Sequence, residues 1–357
     1  MSIYDSALWL ADLDEILDHL PLLADLEGKS VLITGAGSLV CSAAADLLIR
    51  YNGTRAARPV RILAAGRNET KIRARFGEQA EKPWFRFVPY DATRAEFSPE
   101  EPFDYAIHGA GNSSPDLLVR EPVETLLANV LGLKALLTAA RGCGAARLLY
   151  ISTSEVYGAK VGDQPSGDRD YGFIDLLVPR NSYSVGKRAA ENLCASWTAE
   201  YGTETVIARP GHIYGPTASP ADAHVSSAWA YAAARGEALV MKSEGRQLRS
   251  YCYCLDCASA LLTMLLRGES GRAYNISNPD SVVSIRRLAE LLAEAGGVPV
   301  RMELPTAAER QAFNPMLNSS LDSAPLMALG WQGLFGAERG LAHTVAILRE
   351  RERERKL

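Results

Sequence analysis

Cysteine is scarce in this chain. Six residues among 357 do not make the disulfide framework of a small secreted domain. Positive charge is not in surplus either: Lys and Arg total 38 against 42 Asp and Glu, a net charge of −4, whereas a protein that grips a nucleic-acid backbone needs an excess of cations. No segment reaches the ~18 to 20 apolar residues that span a bilayer. The opening stretch, residues 1–18, is acidic where a secretory signal starts basic and continues apolar. These absences lead us to expect a cytoplasmic protein with no nucleic-acid and no membrane partner. Cys252, Cys254 and Cys257 lie close together, but no second Cys or His cluster completes a zinc set, so buried thiols and no metal are expected there.

What is present is ordinary globular composition, 47% apolar and 22% charged, in a chain long enough for two domains or one large α/β unit with an attachment. Residues 5–26 read as one amphipathic helix, with Leu10, Leu13, Leu17 and Leu20 as the stripe and Asp12, Asp14, Glu15 and Asp18 between them. A strand–helix rhythm follows. Short apolar strands are expected at 30–34, 60–65, 85–90, 105–108, 147–152 and 205–208, with helices at 39–51, 68–76, 122–141 and 183–201. Such alternation predicts an α/β fold with a Rossmann-type, doubly wound parallel sheet. After Pro210 the rhythm loosens into loops and helices at 225–235, 256–267 and 284–296, expected to form a smaller mixed α/β substrate domain. The expected division is an N-terminal helical extension (1–28), a dinucleotide-binding domain (29–208) and an interleaved substrate domain (209–357). Residues 349–356 alternate Arg and Glu and read as a solvated helix end.

Between the first strand and its helix runs Thr34-Gly35-Ala36-Gly37-Ser38-Leu39-Val40-Cys41. A Rossmann fold turns there and aims a helix N-terminus at a pyrophosphate. Gly35, Gly37, Ser38, Leu39 and Val40 are therefore cofactor-binding candidates. The glycine pattern is degenerate, because Ser38 and Cys41 stand where a Gly-x-x-Gly-x-x-Gly register has its later glycines. The second strand ends in Ala64-Ala65-Gly66-Arg67, without the acid that usually takes the adenosine ribose of NAD. Arg67 could meet the 2′-phosphate of NADP, stack on adenine or lie in solvent. Asp91, after the third strand, is placed to accept from an adenine amino group or to cap a turn.

The strongest local signal is Tyr183-Ser184-Val185-Gly186-Lys187. Positions i and i+4 share a helix face. A Lys ammonium beside a phenol stabilises phenolate and draws its pKa from ~10 toward the working range. Such a tyrosine can take a proton from a sugar hydroxyl while a hydride leaves the same carbon. Upstream, a strand ends in Ile151-Ser-Thr-Ser-Glu-Val-Tyr-Gly158, at the mouth of the sheet where open α/β folds bind ligands.

With these residues the chain resembles the NAD-dependent epimerase/dehydratase family, the extended short-chain dehydrogenases that act on nucleotide sugars. The likeness covers roughly residues 29–335. It rests on the Thr-Gly-Ala start, His108-Gly-Ala-Gly, Asn129-Val-Leu-Gly132, the Ser-Thr-Ser-Glu-Val-Tyr-Gly run, Tyr183-x-x-x-Lys187, Arg209-Pro-Gly-His-Ile-Tyr-Gly-Pro216, Arg249-x-Tyr-x-Tyr-x-x-Asp256, Tyr274-Asn275 and Leu329-Gly-Trp331. It implies tightly bound NAD, a nucleotide-diphosphate sugar as substrate and a homodimer paired through helices 122–141 and 182–201. It implies catalytic roles for Thr153, Glu155, Tyr183 and Lys187, with Ala110 beside the cofactor. Arg249 would contact the diphosphate, Ser154 and His212 would face the substrate, His212 also nearing the nicotinamide, and His108 would pack under the cofactor. Family dehydratases carry Thr-Asp-Glu where this chain has Thr153-Ser154-Glu155, and plain 4-epimerases lack the Glu. The run is similar to that of UDP-glucuronate decarboxylases, so decarboxylation through a 4-keto intermediate is the leading expectation. Epimerisation at C4 or C5, 4,6-dehydration and a non-catalytic dinucleotide-binding protein stay open behind it.

Overall fold

The computed structural model describes residues 2–160, 162–306 and 317–354. The N-terminal segment is shorter in helix than its apolar stripe suggests. Helix α1 (Ala7–Asp18) stops before Pro21, and Pro21–Leu26 is a 3-10 helix. Proline pushes the residue before it out of the α region, and Leu20 sits at φ −126°. Leu13, Leu17 and Leu20 are buried as the stripe requires, but so is Asp12. Asp12 accepts hydrogen bonds from Tyr253 Oη at 2.9 Å and His343 Nδ1 at 2.9 Å, and thus ties the extension to the C-terminal half.

The central elements follow in order: β1 (Ser30–Thr34), α2 (Leu39–Thr54), β2 (Arg61–Gly66), α3 (Glu69–Phe76), β3 (Phe85–Pro89), β4 (Tyr105–His108), α4 (Pro115–Arg120), α5 (Pro122–Leu127), α6 (Leu133–Cys143), β5 (Arg147–Ile151), α7 (Ser182–Tyr201) and β6 (Thr205–Pro210). The second half supplies β7 (His212–Tyr214), α8 (Val225–Arg235), β8 (Leu239–Met241), β9 (Leu248–Tyr253), α9 (Cys254–Arg267), β10 (Ala273–Ile276), β11 (Val282–Ser284), α10 (Ile285–Gly296), β12 (Val300–Met302), β13 (Asn318–Ser319), α11 (Ala324–Met327) and α12 (Ala337–Glu354). The tail residues 355–357 lie outside the described residues.

Seven strands form one parallel sheet in the order β10-β6-β5-β4-β1-β2-β3. Strands such as β1 and β6 are buried along their whole length, as a sheet covered by helices on both faces demands. The winding reverses between β1 and β4, so the carboxyl ends of those strands, Thr34 and His108, flank the crevice where such folds take ligands. The chain past residue 208 contributes to both layers: β10 joins the main sheet and α9 packs on α2, while β7, β9, β11 and β13 form a separate small sheet. Cys254 opens α9 instead of extending the strand that holds Cys252, and both thiols and Cys257 are buried.

Helices α5 and α6 run on as one rod through a π-turn at Ala128–Gly132. Asn129 sits in that turn, donating to Thr125 O at 2.8 Å and accepting from Tyr150 Oη at 3.0 Å. π-Turns of this kind cluster at functional sites. Pro122–Cys143 is, at 22 residues, long and apolar enough to cross a membrane by length and composition, contrary to the expectation that no segment reaches that length. A core helix meets the same criterion, and Leu133, Leu136, Leu137 and Ala140 are buried in a hydrophobic cluster with sheet residues Leu148 and Tyr150.

Candidate active site

At the reversal point Thr34 Oγ1 lies 2.7 Å from His108 Nδ1 and accepts from the N–H groups of Gly109 and Ala110 at 3.2 Å. With two N–H donors on its oxygen, the Thr34 hydroxyl proton is directed at Nδ1, which assigns the His108 proton to Nε2. Burial drives the His108 pKa down to about 3 and keeps the ring neutral. Nε2 is buried without a hydrogen-bond partner among the described residues.

Gly35 holds φ +68°, and a Cβ there would come 2.9 Å from Gly109 O, so this first glycine is required by the close approach of two loops. Gly37 is free of such crowding: a methyl group at that position would meet only Ile72, at 3.9 Å. The missing last glycine has a compensation. The Cys41 side chain fills the space opposite Gly109, whose own Cβ would fall 2.2 Å from Cys41 Sγ. Small volume is kept at the contact by moving it from one side to the other. Ser38 precedes α2 without making a capping bond, which leaves the amides of the first turn, Leu39 and Val40, for an anion. These features fit a dinucleotide pyrophosphate.

The adenosine end is less built. Arg67 is exposed just past β2. Asp91 spends Oδ1 on its own turn, accepting from Thr93 N at 3.0 Å and Thr93 Oγ1 at 2.8 Å. Burial acts to raise its pKa, but those bonds and the Arg67 and Arg94 charges hold it below the ordinary value.

Tyr183 and Lys187 stand one turn apart on α7 and both are buried. Lys187 Nζ donates to Ile151 O at 2.7 Å and lies 4.7 Å from the Tyr150 ring centre and 5.8 Å from that of Tyr183. Burial lowers its pKa to about 8, against the charge of Glu191. The Tyr183 phenol departs from expectation. Its pKa is raised, first by burial and then by the Glu155 charge, while a hydrogen bond with Thr153 and the Arg180 charge oppose the rise. Desolvation outweighs the pull toward phenolate that Tyr/Lys spacing suggests.

Thr153 caps the 3-10 helix Ser154–Tyr157, accepting from Glu155 N at 3.3 Å. Ser154 is half-buried beside it. Glu155 Oε2 accepts from Arg180 Nη1 at 2.7 Å and Ser184 Oγ at 3.1 Å. Thr153, Ser154, Glu155, Tyr183 and Lys187 thus converge at the carboxyl end of β5. His212 and Arg249 come from paired strands β7 and β9. Arg249 is buried, donates to Leu248 O at 2.8 Å, and is pushed below the usual guanidinium range by that burial. Burial and the Arg249 charge bring the His212 pKa down to about 4, although Glu155 pulls it up, and His212 Nδ1 is buried without a hydrogen-bond partner among the described residues. The charge of Glu155 at His212 links the two groups of residues.

Sequence reasoning missed Arg180 and Ser184, which flank Tyr183 closely enough to have been weighed as supports for a strand-end carboxylate. It also missed a buried network. Glu191, one turn beyond Lys187, accepts from Ser152 Oγ at 2.5 Å, Arg209 Nε at 2.9 Å and Arg209 Nη2 at 2.6 Å. Arg209 Nη1 donates to Tyr157 Oη at 3.0 Å. The network locks α7 to the ends of β5 and β6, and so fixes Lys187.

Fold and site together define a Rossmann-type scaffold with a buried Tyr183/Lys187 pair at the carboxyl end of its sheet. Residues 31–277 match the NAD dependent epimerase/dehydratase family. The chain belongs to that family, whose members include nucleotide-sugar decarboxylases, epimerases and dehydratases. It is 29% identical over 313 residues to UDP-glucuronic acid decarboxylase 6 of Arabidopsis thaliana, covering 87% of this chain and 86% of that protein. It is 31% identical over 249 residues to UDP-glucuronic acid decarboxylase 1 of Xenopus tropicalis, covering 69% of this chain and only 57% of that longer relative. In fold it is similar to the UDP-glucose 4-epimerase of Thermotoga maritima, solved with UDP-glucose, at a TM-score of 0.76 and 22% identity over 90% of this chain and 99% of that one.

Proposed function

We propose that the chain decarboxylates UDP-glucuronate through a 4-keto sugar. The observation that carries this reading is the Thr153-Ser154-Glu155 triplet, in which Glu155 is held by Arg180 and Ser184 beside Tyr183, with no aspartate to expel a hydroxyl group. The similarity to UDP-glucuronic acid decarboxylases supports it. Bound NAD would supply a hydride acceptor for sugar C4. The chain's own residues do the rest. Thr153 holds the 4-hydroxyl, and Tyr183 takes its proton as the phenolate, which the Lys187 ammonium and the positive charge of an oxidised nicotinamide would favour against the burial that raises its pKa. The resulting β-keto acid loses carbon dioxide, C5 takes a proton that Glu155 draws from solvent, and C4 regains the hydride together with the Tyr183 proton, which closes the redox cycle and leaves a pentose. Arg249 and His212 hold the diphosphate. The absent acid after β2 and the exposed Arg67 leave room for a 2′-phosphate, so NADP is the cofactor to test beside NAD.

A homodimer is part of this reading. Val123 and Leu127 on α5 are 61% and 43% exposed, an apolar face that a second copy would cover. Gel filtration at the monomer volume removes that part.

The test is proton NMR of the purified protein with UDP-glucuronate and NAD, beside UDP-glucose and UDP-N-acetylglucosamine. A pentose signal from the glucuronate, lost in Glu155→Gln, is the expected result. A product with its carbon count intact replaces decarboxylation by epimerisation.

A further inference from the structure

The segment from Ala218 to the start of α8 carries no motif, yet its beginning is fixed both to α2 and to α8. Thr217 Oγ1 donates to Leu39 O at 2.9 Å, in the first turn of the cofactor-facing helix α2. Tyr231 Oη, on α8, donates to Ala218 O at 2.8 Å. Within this bridge Asp222 organises His224. Asp222 Oδ1 accepts from His224 N at 3.1 Å and lies 2.6 Å from His224 Nδ1, and Asp222 Oδ2 accepts from Ser227 Oγ at 2.7 Å. One carboxylate oxygen therefore holds the imidazole while Ser227 holds the other. With the Nδ1 proton facing Asp222, Nε2 accepts in the neutral ring and donates in the imidazolium, on a side chain that is 43% exposed.

We propose that His224, oriented by Asp222 and Ser227, is an anion-binding group of the substrate cleft, taking an oxygen of the diphosphate or of the sugar carboxylate of a nucleotide sugar. The proposal rests on the nucleotide-sugar reading above. The charged and titratable groups facing the ring are Asp222 on its own loop, Glu155 on the 3-10 helix after β5 and His212 on β7. Asp222 raises the His224 pKa, burial works against it, and Glu155 adds to the rise. His212 is neutral and does not compete. His224 also immediately precedes the first turn of α8, where the partial positive charge of the helix adds to the ring's pull on an anion. The imidazolium is present below the raised pKa and lost as pH rises through it, so anion binding weakens in the same direction.

The experiment is calorimetric titration of the NAD-loaded protein with UDP, UDP-glucose and UDP-glucuronate at several values between about pH 5 and 8. It uses the wild type, His224→Gln and Asp222→Asn. Wild-type affinity should fall with rising pH, and His224→Gln should bind about tenfold more weakly at the acid end and lose the pH dependence. Asp222→Asn should shift that dependence to lower pH. Equal losses for all three ligands assign the diphosphate; a loss confined to UDP-glucuronate assigns the carboxylate. Variants that bind all three like the wild type, or a wild type with pH-independent affinity, overturn the proposal alone. A wild type that binds none of them overturns it together with the nucleotide-sugar reading.

Discussion

Arg180 holds Glu155. Its Nη1 lies 2.7 Å from Glu155 Oε2, and Ser184 Oγ supports the same oxygen at 3.1 Å. Arg180 comes from the short 3-10 turn Pro179–Asn181 that leads into α7, so the carboxylate and the Tyr183 phenol are set by neighbouring residues of one segment.

Arg180→Gln should therefore lower kcat by about a hundredfold, the scale of a small misplacement of a catalytic group, with KM little changed. The ion pair is partly exposed, with side chains 45% and 31% accessible, so melting temperature should hardly move. Arg180→Lys should recover part of the rate. Steady-state kinetics beside thermal denaturation checks both halves. A large fall in stability with normal turnover of the folded fraction contradicts the positioning role.

The Tyr/Lys centre predicts a pH profile. Lys187 is lowered to about 8, so its ammonium is present below that value and lost above it. Turnover of the NAD-loaded protein should fall as pH rises through about 8. Tyr183→Phe should remove turnover by about 10² to 10⁴-fold while leaving the bound dinucleotide, read after denaturation, unchanged. A rate that keeps rising well above this range argues against a charged Lys187 in the reaction.

Cys41 and Gly109 form a complementary pair, and the pair can be swapped. Gly109→Ala places a methyl 2.2 Å from Cys41 Sγ, and overpacking of this kind costs about 1 to 3 kcal/mol. Its dinucleotide content should fall because Gly109 also presses on the Gly35 turn. Cys41→Gly should be mild, and the double variant should bind dinucleotide better than Gly109→Ala alone. Additive losses in the two single variants would show that the volumes are not coupled.

The main strands and helices are legible in the sequence because short β-branched runs such as Ser30–Thr34 can only be buried strands between helices. Tyr183, Lys187, Thr153 and Glu155 are legible because they lie in local motifs whose spacing carries the chemistry. The apolar stripe overstates the helix, which ends at Asp18 and gives way to a 3-10 helix from Pro21 on, since such a stripe continues through a 3-10 helix as well as an α-helix. Spacing shows the nearby Lys187 but not the depth of burial, which pushes the Tyr183 pKa up. Gly109 as the counterpart of Cys41, and Asp222 as the support of His224, depend on contacts between loops that no periodicity announces.

The buried pair of Glu191 and Arg209 joins stability to chemistry, which makes it the most informative place to cut. Arg209 is 1% exposed and Glu191 8%, and both nitrogens of the fork that face Glu191 are used. Glu191→Gln leaves a guanidinium without its counter-charge, a loss of about 3 to 5 kcal/mol. Replacing Arg209 with Met in the same chain should recover much of it, since removing both charges ends the uncompensated burial. The chemical effect has the opposite additivity. Glu191 is the main charge holding the Lys187 pKa up against burial, so removing it should move the alkaline limb of the activity profile below about 8 in Glu191→Gln and in the double variant alike. Denaturant unfolding and the pH–rate profile separate the two effects. A limb restored together with stability in the double variant would mean that Lys187 depends on the fit of α7 and not on the Glu191 charge.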